Sequence, residues 1–168
     1  MEQNDYSDIE IKKVLEQTLE QLWPILRKKN IAVDILEAEN LPDMVNCDPN
    51  RVSQVIWNVL SNAIKFSDDG GSIAISLAKT NVFEYPAITI SVTDQGIGIP
   101  KGEEEKIFER FHKSSVTDDG IIGTGLGLAI SKEIVEHHGG YITTTNNIDK
   151  GATVCFSLPL IPPQQRKN

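Results

Sequence analysis

Apolar residues recur at helical spacing from residue 9 to about 29, where Ile11, Val14, Leu15, Leu19, Leu22, Trp23 and Leu26 share one side of a predicted helix. Pro24 falls inside that pattern and predicts a kink or a break. Ile31 to Leu36 alternates apolar and polar residues as a strand does, and Met44 to Cys47 reads as a short second strand. Asp48-Pro49 is a helix start, with Asp as the cap and Pro at the first helical position. The helix it opens runs to about Phe66, with an apolar stripe of Val52, Val55, Ile56, Val59, Leu60, Ala63 and Ile64.

Ile73, Ile75 and Leu77, and then Ile88, Ile90 and Val92, alternate with small or polar residues. They predict two long antiparallel strands joined by a loop around Asn81 to Pro86. Residues 112 to 122 show no period and read as a mobile loop. A helix follows from about Thr124 to His138, with Gly139 as its C-cap. Tyr141 to Thr145 and Thr153 to Leu158 form a closing hairpin around Asp149-Lys150-Gly151, and the Pro-rich, basic tail after Leu158 reads as loose. Strands come mostly in adjacent pairs. That order predicts an α+β fold, a two-layer sandwich with a mixed, mostly antiparallel sheet packed against three helices.

The chain has 168 residues, enough for one ordinary domain, and a net charge of −8. That charge argues against a dedicated nucleic-acid binder, though not against a local anion site. No apolar run is long enough to span a membrane, and the acidic start is not a signal peptide. Cys47 and Cys155 have neither metal-ligand spacing nor a disulfide framework, so a reducing compartment is the default.

Four segments carry candidate chemistry. Asn58, Asn62 and Lys65 project from one face of the second helix. They are either an exposed polar stripe or a carboxamide ligand for a hard cation, with a lysine beside a phosphate. Asp94-Gln-Gly96-Ile-Gly98-Ile-Pro100 follows a strand. It is either a plain Asp/Gly turn or a place where a ligand approaches the backbone closely. Phe108 and Phe111 flank Arg110, and two such aromatics are ordinarily core. Gly123-Thr-Gly125-Leu126-Gly127 opens the third helix, where backbone N–H groups can bind an anion. It lacks the Lys-Ser/Thr of a Walker loop and the glycine spacing of a dinucleotide fingerprint.

In this order the four segments closely resemble the asparagine, first glycine, phenylalanine and second glycine boxes of sensor histidine kinases. The resemblance covers essentially the whole chain and continues in Ile134-Val-Glu-His-His-Gly-Gly140 and Gly151-Ala-Thr153. It implies the catalytic ATP-binding domain of a two-component kinase, in the superfamily shared with gyrase, Hsp chaperones and mismatch-repair proteins. By resemblance, Asp94 binds the adenine amino group and Thr153 helps through a water, with Gly96 and Gly98 at the same end. Asn62 ligates Mg2+, Asn58 lines the phosphate side and Lys65 neutralises phosphate charge. Gly123, Gly125, Leu126 and Gly127 cradle the phosphates of ATP. Phe108 and Phe111 anchor a lid over residues 112 to 122, and Arg110 contacts the γ-phosphate.

The resemblance also implies partners: a histidine-bearing dimerisation domain and a downstream response regulator. No segment resembling that dimerisation domain is present. His112, His137 and His138 lie at lid or helix-end positions, so the chain reads as part of a longer kinase that binds ATP without phosphorylating itself. Residues 1–8 are then a linker remnant, 9–160 the catalytic domain and 161–168 a flexible tail. By itself the domain is expected to be monomeric and cytoplasmic, in a parent protein of a kind commonly anchored in the inner membrane. Gyrase-type relatives carry a glutamate at the position of Asn58, so Asn58 speaks for histidine phosphorylation rather than an ATP-hydrolysing clamp. A regulatory nucleotide-binding module without transfer is the other alternative.

Overall fold

A computed structural model describes residues 5–112 and 125–167. The element order is β1 (Ser7–Ile9), α1 (Ile11–Lys28), β2 (Ala32–Glu37), β3 (Val45–Cys47), α2 (Pro49–Phe66), β4 (Ser72–Val82), β5 (Tyr85–Asp94), α3 (Gly127–His137), β6 (Tyr141–Asn146) and β7 (Ala152–Pro159). Five strands form one sheet in the order β2-β4-β5-β7-β6. β2 runs parallel to β4 and every other pairing is antiparallel. Helices α1, α2 and α3 cover one face, so the predicted two-layer α+β sandwich is the observed fold. The core lies between the layers, where Ile73, Ile75, Ile88, Ile90 and Phe156 from the sheet meet Leu15, Leu22, Val52, Val59 and Val135 from the helices. None of the described helices is long and apolar enough to cross a membrane.

The structure differs from the sequence reading at four places. Helix α1 continues through Pro24, so of the kink or break expected there no break occurs. Pro24 is exposed, so water can satisfy the carbonyl one turn back that loses its N–H partner. The expected loop from Asn81 to Pro86 shrinks to Phe83-Glu84, because Asn81 pairs with Pro86 and Val82 with Tyr85. Phe83 takes the positive φ of 55° that this turn requires. Residues 7–9, read as linker and helix start, form a strand antiparallel to β3, and this pair is a second small sheet. The segment after Leu158 is tied down as far as Arg166. The Asn46 N–H donates to the Leu160 carbonyl at 2.8 Å, the Gln164 amide donates to the His137 carbonyl at 2.9 Å, and the Arg166 guanidinium lies 3.3 Å from the Tyr85 ring centre.

Polar contacts cap α2, which carries the asparagines, and tie its two ends to neighbouring elements. At its start the Asp48 carboxylate accepts from the N–H groups of Asn50 and Arg51 at 3.0 and 3.1 Å. The Asp48 N–H itself donates to His138 Nε2 at 3.1 Å. At its end the Lys29 ammonium donates to the carbonyls of Ile64 and Ser67 at 2.7 and 2.6 Å. A cation there complements the helix dipole.

Candidate functional site

The buried stripe of α2 fixes its rotation, leaving Asn58, Asn62 and Lys65 half-buried along one flank. Asn58 faces α3. Its Nδ2 donates to the Gly127 carbonyl at 3.0 Å and to Ser131 Oγ at 3.2 Å, while Ser131 donates to the same carbonyl at 2.8 Å. The Asn58 donors are thus committed to holding the first turn of α3 against α2. Asn62, one turn on, makes no hydrogen bond among the described residues, so its carboxamide keeps its full ligating capacity. The Lys65 ammonium lies 5.2 Å from the Phe66 ring centre.

Asp94 ends β5 and is 8% exposed. Its Oδ1 accepts from the Gly96 N–H at 2.9 Å and from the Ala152 N–H at 3.2 Å. Oδ2 receives no donor among the described residues. Burial pushes the Asp94 carboxyl above the usual carboxylate range, and the two backbone N–H groups pull it partly back. A carboxylate accepts hydrogen bonds and donates none when ionised, and Oδ2 keeps its acceptor capacity.

The glycines after Asp94 answer to protein neighbours. A Cβ on Gly96 would sit 2.1 Å from the Phe66 carbonyl oxygen, so only glycine lets the loop lie against the end of α2. Gly98, at φ +73°, would bring a Cβ to 2.9 Å from Asn146 Oδ1. That carboxamide accepts from the Ile99 N–H and donates to the Ile99 carbonyl, both at 2.7 Å. Next to it, the Asn147 Nδ2 donates to the Asp94 carbonyl at 2.9 Å.

Thr153 is not brought to the Asp94 carboxylate. It pairs with Thr93 across β5 and β7, and Thr93 precedes Asp94 on the same strand, so the two threonines point to the opposite sheet face. Their hydroxyl oxygens are 2.9 Å apart, and the Thr153 hydroxyl donates to Asn147 Oδ1 at 2.8 Å. On that face, a cleft of about 780 Å³ lies between the turn after α2 and the β6–β7 turn, lined by Asp68, Gly71, Thr93, Gln95, Asn147 and Lys150. The Lys150–Asp68 ion pair bridges the two turns.

The phenylalanine pair divides. Phe108 packs against the core, whereas Phe111 is 72% exposed. Phe111 nevertheless joins the second glycine segment through its backbone: its N–H donates to the Gly125 carbonyl at 2.9 Å. A Cβ on Gly125 would lie 2.8 Å from the His112 carbonyl oxygen. The Arg110 guanidinium pairs with Glu133 on α3, its Nε donating at 3.1 Å. Leu126 occupies the cap position of α3 and supplies no side-chain cap. Gly123 and the expected lid, apart from His112, lie outside the described residues.

Sequence reading missed Asn146, Asn147 and Ser131. Asn146-Asn147 looks like part of the turn beside Asp149-Lys150-Gly151, and only the sheet brings it to Asp94 and Ile99.

With this geometry in hand, the sequence matches, over residues 47–162, the family described as histidine kinase-, DNA gyrase B-, and HSP90-like ATPase. The chain belongs to that family. Within it, the chain is 42% identical over 130 residues to the sensor histidine kinase WalK of Bacillus subtilis, covering 75% of this chain and 21% of that protein. It is 35% identical over 164 residues to the adaptive-response sensory kinase SasA of Prochlorococcus marinus, covering 97% of this chain and 41% of that one. The chain thus spans about a fifth to two-fifths of the length of these curated relatives. Among solved structures it superposes on the catalytic domain of the histidine kinase ThkA with a TM-score of 0.80 at 28% identity, covering 94% of this chain and 99% of that one. Full-length ShkA in complex with AMPPNP gives 0.80 at 26% identity, covering 96% and 32%. ThkA in complex with the response regulator protein TrrA gives 0.76 at 26%, covering 96% and 43%. The resemblance carried by the four boxes is borne out.

Proposed function

We propose that this chain binds ATP with Mg2+ between α2, the first turn of α3 and the loop from Asp94 to Pro100. We further propose that it passes the γ-phosphoryl group to a histidine on the dimerisation domain of a sensor kinase, from which a response regulator receives it. The observation that carries the reading is the Asp94 carboxylate, buried, held by two backbone donors through Oδ1 and vacant at Oδ2. An acceptor-only group in that position suits the exocyclic amino group of adenine and disfavours guanine, which presents a carbonyl there. The nucleotide-bound relative ShkA supports the same ligand class, and the ThkA–TrrA complex supports a response regulator as partner.

At the other end, the uncapped N–H groups of α3 receive phosphate oxygens and the Lys65 ammonium adds positive charge. Asn62 offers a neutral oxygen suited to a hard cation. When bound, Mg2+ supplies neutralisation of phosphate charge. Asn58 holds α3 in place and has no basic carboxylate. An imidazole acceptor needs none, whereas a water-activating clamp would, so the site favours transfer to histidine over hydrolysis.

Calorimetric titration with a non-hydrolysable ATP analogue, with and without Mg2+, tests the binding half. One saturable site, weakened in Asp94→Asn, is expected. No binding at millimolar ligand by the folded chain sinks the reading. Incubation with ATP and a supplied histidine-bearing dimerisation domain tests the transfer half, read as acid-labile phosphate on that domain and none on this chain.

A further inference from the structure

We propose that Asn146 and Asn147 are positioning residues for the nucleotide loop, and that Thr153 acts through Asn147. This rests on the reading of the Asp94 pocket given above. The loop from Asp94 to Pro100 is gripped at both ends by one adjacent pair. Asn146 meets Ile99 as a neighbouring strand would, accepting from its N–H and donating to its carbonyl, both at 2.7 Å. Asn146 is the last residue of β6 and pairs through its backbone with Ala152, so its side chain carries this second contact to a segment that is not a strand. Asn147 Nδ2 takes the Asp94 carbonyl at 2.9 Å and the Lys150 carbonyl at 3.1 Å.

The orientation of Asn147 is itself fixed. Its Oδ1 accepts the Thr153 hydroxyl proton at 2.8 Å. Since a hydroxyl has one proton, the Thr93 hydroxyl must donate to Thr153 across their 2.9 Å contact. The relay Thr93–Thr153–Asn147 ends on the backbone of the residue whose carboxylate faces the pocket. Two glycines make the grip close. Gly98 leaves room for the Asn146 carboxamide, and Gly151 avoids a Cβ 2.1 Å from the Asp94 carbonyl oxygen. None of these side chains hydrogen-bonds Asp94 Oδ2. They set where the base-facing loop lies before any ligand arrives, so binding need not order it.

The test compares the 168-residue chain with Asn146→Ala, Asn147→Ala and the near-isosteric Asn146→Asp. Calorimetry is run with ADP and with Mg-AMPPNP, and amide hydrogen exchange is read at Ile99 without nucleotide. Asn146→Ala is expected to speed Ile99 exchange and to weaken both nucleotides by the same factor, about tenfold for the pair of bonds lost. Asn147→Ala is expected to weaken both equally as well. Asn146→Asp keeps the acceptor for the Ile99 N–H but loses the donor, and is expected to fall between; it carries the test if the alanine variant fails to fold. Faster Ile99 exchange with unchanged affinities overturns the proposal and leaves the nucleotide reading intact. A loss that grows with the number of phosphates also overturns it, because the asparagines would then act at the wrong end. If the unaltered chain binds neither nucleotide while Ile99 stays protected, both readings fall and the clasp is structural only.

Discussion

Asn58 on α2 holds the carbonyl of Gly127, the first residue of α3, at 3.0 Å. The residue type at this position therefore sets how two helices meet as well as what chemistry is available. Asn58→Asp would replace a donor by a carboxylate facing a carbonyl and a hydroxyl already committed to that carbonyl. The expected cost is about 1–3 kcal/mol of stability, read as a lower urea midpoint, with no rise in ATP hydrolysis.

Gly96→Ala places a methyl 2.1 Å from the Phe66 carbonyl oxygen. Backbone sits on both sides of the clash, so no side chain can swing away. A loss of about 1–3 kcal/mol is expected, and nucleotide affinity should fall with it because the loop must leave α2. Thermal melting and a nucleotide titration on the same sample check both effects.

Asp94→Asn separates binding from stability. The Asp94 carboxyl titrates above its ordinary value because the folded state buries its charge. A carboxyl raised in this way favours the folded state below its unfolded pKa, and that advantage is lost as pH rises through the folded one. At neutral pH the amide should thus leave melting unchanged or higher, while adenine nucleotide binding weakens by about a hundredfold, the scale of one charge-assisted hydrogen bond. In the unaltered chain, nucleotide affinity should fall as pH drops towards the raised Asp94 pKa.

His138 is buried between the N-terminus of α2 and the C-terminus of α3. Its Nδ1 donates to the Ile134 carbonyl at 2.8 Å and its Nε2 accepts from the Asp48 N–H at 3.1 Å. Burial lowers its pKa below the ordinary 6.5, with the hydrogen bond to the Ile134 carbonyl and then Asp48 opposing and His137 reinforcing the shift. A base depressed in this way stabilises the fold fully above pH 6.5, and the contribution is lost as pH falls through the folded pKa. Urea midpoints measured from pH 8 down to 5 should decline, and His138→Gln should flatten the decline. An unchanged slope in the variant would assign the acid sensitivity elsewhere.

Glu133→Gln releases Arg110 from its partner on α3. Both side chains are largely exposed, so stability should change by less than about 1 kcal/mol. If Arg110 reaches the γ-phosphate, affinity for Mg-AMPPNP should rise relative to ADP. Equal affinities would leave Arg110 without that role.

Helix α2 was legible because its signals are local. Asp48-Pro49 marks the start, and the apolar stripe gives the face opposite Asn58 and Asn62. β4 and β5 were legible from alternation alone. What escaped depends on residues far apart in the chain. β1 is three residues long and exists only because β3 offers it an antiparallel partner. The sequence marks Gly96 and Gly98 as needing freedom but does not show what occupies the space, which is the Phe66 carbonyl in one case and Asn146 in the other. Asn146 and Ile99 lie 47 residues apart, and only the closed sheet brings them together. The resemblance links Thr153 to Asp94 through a water, and the strand register shows what the sequence does not: Thr153 stands opposite Thr93 and bonds Asn147.

β1, Leu160, Gln164 and His138 gather at the first turn of α2, while Asn62, Lys65 and Phe66 sit at its last. The 18 residues of that helix span about 27 Å. The domain therefore has a handle and a working end. Attached to a sensor chip through a cysteine introduced at Gln164, it would present the Asp94 loop to the flowing solution. Random amine coupling would instead consume Lys65 and Lys150 and blind the face being measured.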